Sequence, residues 1–228
     1  AKNGAYVTYN VDAMIAILTI EASRADGLVI GEDLGTVPNY VRKVLASHGV
    51  LGTVVEWFAR VDDSPNAGDP YDDPTNYRKY ALASVTTHDL PPTAGYLQFE
   101  HVQLRERLHL LTESVESFQA SATAERQAML NRLRTLGLIS DEEADDADSH
   151  IPQIVEAMHA MLRKSPSLLI QAALVDGVGE RRTQNQPGTS DQYPNWRIPL
   201  ADGEGNVVPL EKLFDEPRLQ EITAIMRG

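Results

Sequence analysis

The chain alternates short, continuous apolar runs with longer stretches in which apolar residues recur every three or four positions. From Asp12 to about Ala25, Met14, Ile15, Leu18 and Ala22 fall on one stripe, which predicts an amphipathic helix. Asp26-Gly27 ends it, and Leu28–Gly31 follows as an apolar run suited to a strand buried on both faces of a parallel sheet. Pro38 opens a second helix, with Val41, Val44 and Leu45 on its buried stripe and Gly49 as its stop. A second strand is predicted over Thr53–Phe58. The turn-rich segment Asp62–Pro70, a short helical piece around Tyr77–Ala81 and a third strand ending at Asp89 come next. From Ala94 to about Lys164 the pattern is helical with breaks, longer than one crossover helix requires. Ser167–Ala173 reads as a fourth strand, followed by a Gly- and Asn-rich loop and a closing helix from about Leu210 to Met226. This order, strand and helix in turn, predicts an α/β fold with parallel pairing.

Composition narrows the function. With 228 residues, 42% of them hydrophobic and 23% charged, the chain can bury one sizeable core. A net charge of −13 excludes nucleic acid and anionic membrane as partners, because no basic stripe exists to displace counterions from phosphates. A neutral polysaccharide is compatible with it. There is no cysteine, hence neither a disulfide framework nor a thiolate metal site. No signal peptide and no run long enough to span a bilayer is recognisable, and a cytoplasmic location follows as the default. The chain opens at Ala1 without Met and runs quickly into a helix, as an excised piece of a longer protein would.

Two of the strand-like runs stop at carboxylates: Leu28-Val29-Ile30-Gly31-Glu32-Asp33 and Ser84-Val85-Thr86-Thr87-His88-Asp89. Parallel α/β barrels present catalytic groups in this way, at the carboxyl ends of their strands. A carboxylic acid and a carboxylate facing each other across a sugar, roughly 5 Å apart in retaining enzymes, are what glycosidic bond cleavage requires. A helix N-cap or a surface acid accounts equally for either residue taken alone. The acidic run Asp141–Asp148 reads as a solvated helix face, with Ser140 and Glu143 spaced as a capping box. The Asp-rich loop after Arg60 has a partial likeness to a calcium loop, but the same solvated reading covers it.

Gly4-Ala5-Tyr6-Val7, Glu21-Ala22-Ser23-Arg24-Ala25, Gly31-Glu32-Asp33-Leu34-Gly35-Thr36-Val37-Pro38, Thr87-His88-Asp89, and Asn185-Gln186-Pro187-Gly188-Thr189 with Tyr193-Pro194-Asn195-Trp196-Arg197 occur in this order. Together they resemble the 4-alpha-glucanotransferases (amylomaltases, or disproportionating enzymes), along nearly the whole chain and most weakly between about Glu100 and His150. The resemblance implies the C-terminal half of a (β/α)8 TIM-type barrel, since a closed barrel needs eight strands and only four are legible. Residues 1–99 would then carry the barrel strands with the carboxylates, 100–150 a helical insertion, and 151–228 the last strand, a substrate loop and the closing helix.

The same resemblance implies that Glu32 is the general acid/base, with Asp33 as the competing, structural neighbour. For that role the Glu32 carboxyl needs burial and a neighbouring carboxylate to keep its proton. Asp89 resembles the family carboxylate that holds sugar hydroxyls in the transition state, and His88 would donate to a sugar hydroxyl; a half-buried histidine on a backbone carbonyl is the alternative. Asn185 would bond a sugar hydroxyl, and Gly188 would let the backbone turn tightly. Trp57 and Phe58 offer ring faces to glucose, of which a buried strand exposes only one; Trp57 is the expected contact. Trp196-Arg197 reads as a structural latch.

The family's nucleophilic Asp, with its neighbouring Arg, has no counterpart, since Arg60-Val61-Asp62 lies in a loop after the wrong strand. The expected activity is retaining transfer of α-1,4-glucan segments to the 4-hydroxyl of glucose or another glucan, with no metal or organic cofactor. The isolated chain would be inactive without the upstream half of the polypeptide. An α-glucan hydrolase of related fold and a non-catalytic glucan-binding module are the alternatives, and a half barrel's uncovered edges make self-association expected.

Overall fold

Two buried alanines, Ala81 and Ala83, hold the centre of a parallel sheet, where their small side chains let a helix come close. The computed structural model describes residues 4, 5, 7–35 and 37–228; Tyr6 and Thr36, both in motifs named above, lie outside it. Strands β1 (Gly52–Val55), β2 (Ala81–Ser84) and β3 (Leu169–Gln171) pair in parallel in the order β1-β2-β3, in register Gly52 to Ala81 and Leu82 to Leu169. The expected first strand is reduced to one parallel bridge, Ile30 to Leu51, in which the Gly31 N–H donates to the Leu51 carbonyl at 2.7 Å. Sheet order therefore follows chain order, each parallel step spanned by intervening chain.

The helices are α1 (Val11–Arg24), α2 (Asn39–Ser47), α3 (Thr93–Leu97), α4 (Glu100–Arg107), α5 (Val115–Thr135), α6 (Asp141–Asp145), α7 (Ile151–Leu162), α8 (Leu174–Val178) and α9 (Pro217–Arg227). Asn10 caps α1 by accepting from Ala13 N–H at 3.1 Å, and Ser114 caps α5 in the same way. The capping box at Ser140 and Glu143 is present and starts α6. Helices α3 to α7 fall between β2 and β3 and carry most of the core: Met129, Leu133, Ile154, Met158, Met161 and Leu162 are nearly or wholly inaccessible to solvent. Burying each such side chain contributes about 1.5–3 kcal/mol.

Five further expected elements differ. The third strand, expected to end at Asp89, ends at Ser84 and gives way to a turn, and the fourth, expected over Ser167–Ala173, is shortened to Leu169–Gln171. The strand over Thr53–Phe58 ends at Val55, and Glu56–Phe58 forms a 3-10 turn. Glu56 turns inward there, its Oε2 accepting from Arg132 Nη1 and the Tyr77 hydroxyl at 2.9 Å each, so side-chain bonds replace the ladder. The helical piece around Tyr77–Ala81 is instead the approach to β2. An Ala-Leu-Ala run has helix propensity, and pairing on both sides overrides it. The closing helix is split: Leu210–Asp215 is 3-10, and α9 starts at Pro217, whose ring keeps Glu216 extended.

Candidate active site

The two carboxylate motifs emerge at the same end of the sheet. Glu32 follows the Ile30 bridge, and Thr87-His88-Asp89 follows β2. Between them opens a cleft of about 670 Å³, lined by Glu32, Ser84, Thr87, His88, Gln184 and Trp196 among others. Its floor is apolar, with Val55, Leu82 and Leu90. Glu32 is the single carboxylate in the lining and is exposed at its edge, so the burial expected around it is not provided by these residues.

Asp33 points the other way and is 4% exposed. It accepts from Thr53 N–H at 2.9 Å and Arg78 Nη1 at 2.5 Å, with Arg42 Nε at 3.3 Å. Burial pushes its carboxyl up, but the Arg78 and Thr53 bonds outweigh this and hold it at about 2. Asp33 is thus a permanent anion that ties the Glu32 segment to β1 and to the lead-in to β2. It caps no helix, since α2 begins after Pro38.

Asp89 sits between the cleft-lining His88 and Leu90. Its Oδ1 accepts from Asn185 Nδ2 at 2.6 Å and lies 3.5 Å from His88 Nε2. No hydrogen bond to its Oδ2 occurs among the described residues. One of the two Asn185 amide N–H groups is engaged by Asp89, which leaves the second N–H and Oδ1 for the expected sugar hydroxyl. The aromatic expectation is corrected: Trp57 is 1% exposed, stacked on Tyr96 at 4.2 Å inside the core, and so is closed to a sugar ring, whereas its neighbour Phe58 is exposed. Gly188 lies away from the cleft lining, at φ +84, in the left-handed region that favours glycine.

The loop carrying Asn185 is stitched together internally. Gln186 N–H donates to Asn195 Oδ1 at 2.8 Å, Asn195 Nδ2 to Thr189 Oγ1 at 2.8 Å, Thr189 Oγ1 to the Gln186 carbonyl at 2.7 Å, and the Tyr193 hydroxyl to the Thr183 carbonyl at 2.5 Å. Its root is Glu180, buried, which accepts from Arg181 and Arg182 N–H, the Arg182 guanidinium and Ala201 N–H. Burial raises the Glu180 carboxyl, and these donors more than reverse it, leaving it below its usual range. The turn after β2 is anchored likewise: Asp176, buried in α8, accepts from Thr93 N–H at 2.8 Å and Thr93 Oγ1 at 2.7 Å. The sequence had no local signal for Glu180, Asp176 or Thr93, since their partners lie in distant elements or depend on how the loop returns.

Comparison with known proteins supplies the context. The sequence profile described as 4-alpha-glucanotransferase matches residues 1–203. The 4-alpha-glucanotransferase of Mycobacterium tuberculosis is 47% identical over 225 residues, which are 99% of this chain and 30% of that protein. The one from Haemophilus influenzae is 32% identical over 96% of this chain and 30% of its own length. Among solved structures, amylomaltase from Corynebacterium glutamicum superposes with a TM-score of 0.88 at 39% identity, covering 97% of this chain and 32% of that one. The chain thus spans about 30% of the length of these relatives. With the profile covering nearly all of its length and the fold agreeing, this chain belongs to the 4-alpha-glucanotransferase family.

Proposed function

We propose that this chain supplies the acid/base part of the active site of a retaining 4-alpha-glucanotransferase, acting on α-1,4-glucans. The observation behind this reading is the shared cleft: Glu32, after the Ile30 bridge, and His88, after β2, lie on either side of β1 and border one hydroxyl- and amide-lined groove over an apolar floor, with Glu32 its one carboxylate. A glucan has that chemistry, with polar hydroxyl rims and apolar ring faces and no charge. In this reading the sheet is part of a (β/α)8 barrel completed by the rest of the protein, and helices between β2 and β3 are an insertion on it.

Glu32, at the cleft edge, protonates the glycosidic oxygen as the bond breaks, and then takes the proton from the acceptor's 4-hydroxyl. Asp89 turns its free Oδ2 toward sugar hydroxyls, whose hydrogen bonds strengthen as positive charge develops on the ring. Asn185 acts through Asp89, fixing Oδ1 so that Oδ2 keeps one direction, and His88 donates alongside. The Asp nucleophile comes from outside this chain, so these 228 residues alone do not turn over substrate.

Chromatography of the products formed from maltotriose by the full-length protein tests the reaction class. Glucose together with oligosaccharides longer than maltotriose is the outcome for transfer. Only shorter products would mean hydrolysis, and no products would refute the enzymatic reading.

A further inference from the structure

Trp196 stands in the cleft wall 63% exposed, an unusual place for an indole that reads as a latch in the sequence. Its backbone is in the left-handed region at φ +59, a strained conformation for a bulky residue. The surrounding loop holds it there: Trp196 N–H donates to the Gln184 carbonyl at 2.9 Å, Arg197 N–H to Pro194 at 3.0 Å, and neighbouring Asn195 is bonded on both sides of its amide. A latch would bury its ring. Here the ring leans on His88 instead, centroids 5.5 Å apart and planes at 39°, and lines the groove that Glu32 borders. The other tryptophan, Trp57, shows what a packing indole looks like in this molecule, at 1% exposure.

We infer that Trp196 is a stacking platform for one pyranose ring of a bound glucan, fixed by the strained turn and set beside His88 so that the same sugar unit meets an apolar face and a hydrogen-bond donor. This deepens the glucan reading above and rests on it. The rigid loop means that the ring is in place before ligand arrives, so little ordering entropy is lost on binding.

The test uses the full-length protein with maltoheptaose as probe. Trp196→Gly removes the ring while suiting the left-handed backbone, so a melting temperature equal to or above the parent's verifies the fold. The expected result is binding weakened about tenfold by calorimetry, with KM raised and kcat changed less, whereas Trp196→Phe keeps affinity within about threefold. Tryptophan emission that shifts on adding maltoheptaose in the parent and no longer does so in Trp196→Phe is the second readout. Parent-like affinity in a folded Trp196→Gly protein would overturn the platform and leave the glucan site standing. Should Trp196→Gly fail to fold, an emission shift surviving in Trp196→Phe would overturn it instead. A parent that binds no maltoheptaose would overturn both.

Discussion

Asp89 and Asn185 are separated by 96 positions and meet at 2.6 Å, and in the proposed mechanism that contact makes Asn185 a positioning residue. A hydrogen bond to a charged group contributes about 1.5–3 kcal/mol, so Asn185→Ala is expected to lower kcat for maltotriose by about ten- to a hundredfold with a smaller change in KM. A direct sugar contact would instead raise KM with kcat retained. Asp33 makes a prediction about stability. Its folded value of about 2 lies below the ordinary 3.8, so its contribution is complete above about pH 4 and is lost as pH falls toward 2, about 2 kcal/mol in all. Glu56 works in the opposite sense. Complete burial pushes its carboxyl up to about 7 despite the Arg132 charge, so the native state binds the extra proton and stability declines as pH rises from 4.5 through 7. Denaturant titrations of Asp33→Asn and Glu56→Gln against pH would show each slope vanish in its own variant. At this scale the meeting of Glu32 and His88 at one cleft was legible in their motifs. Trp57 was not, because whether a strand residue faces core or groove depends on where the strand stops.

At the scale of elements, the site is held by side chains that bridge segments. Arg132 of α5 neutralises Glu56 after β1, and Glu125, two turns earlier on the same helical face, pairs with Arg60 at 2.8 Å and with the Tyr96 hydroxyl. Replacing Arg132 by Met leaves a buried carboxyl without its cation, with an expected loss of about 3–5 kcal/mol at pH 8 that shrinks below pH 6, where Glu56 takes a proton. Gly95 in α3 lies directly against the Arg181 backbone, where an added Cβ would come within 2.1 Å of the carbonyl oxygen. Gly95→Ala must therefore push α3 away from the root of the Asn185 loop. The expected cost is about 3 kcal/mol in chemical denaturation, together with loss of activity. Helices α1 and α2 were readable from their spacing and α6 from its capping box, while α3 to α7 were legible only as one broken helical stretch and α8 not at all. Strand β2 was not, since Ala81 and Ala83 carry no strand propensity and owe their conformation to β1, β3 and the helix packed over them.

The whole molecule is unevenly covered. The sheet and α3 to α7 share a dense core, but α1 exposes Val11, Met14, Ile17, Leu18 and Ile20 at 42–63% and buries Ile15 alone among its described residues. Apolar surface of this extent calls for a covering partner. The isolated chain is expected to self-associate at micromolar concentration in sedimentation velocity, and a monodisperse monomer would contradict this. Comparing two donors in the full-length Glu32→Gln protein tests whether Glu32 is the acid/base. One is maltotriose, whose leaving sugar needs a proton; the other is α-maltosyl fluoride, whose fluoride does not. Turnover of maltotriose falls by about 10²–10⁴ if Glu32 is the acid, while fluoride release in the first step persists. Equal losses on both donors, or none on either, would show that Glu32 is not the acid/base.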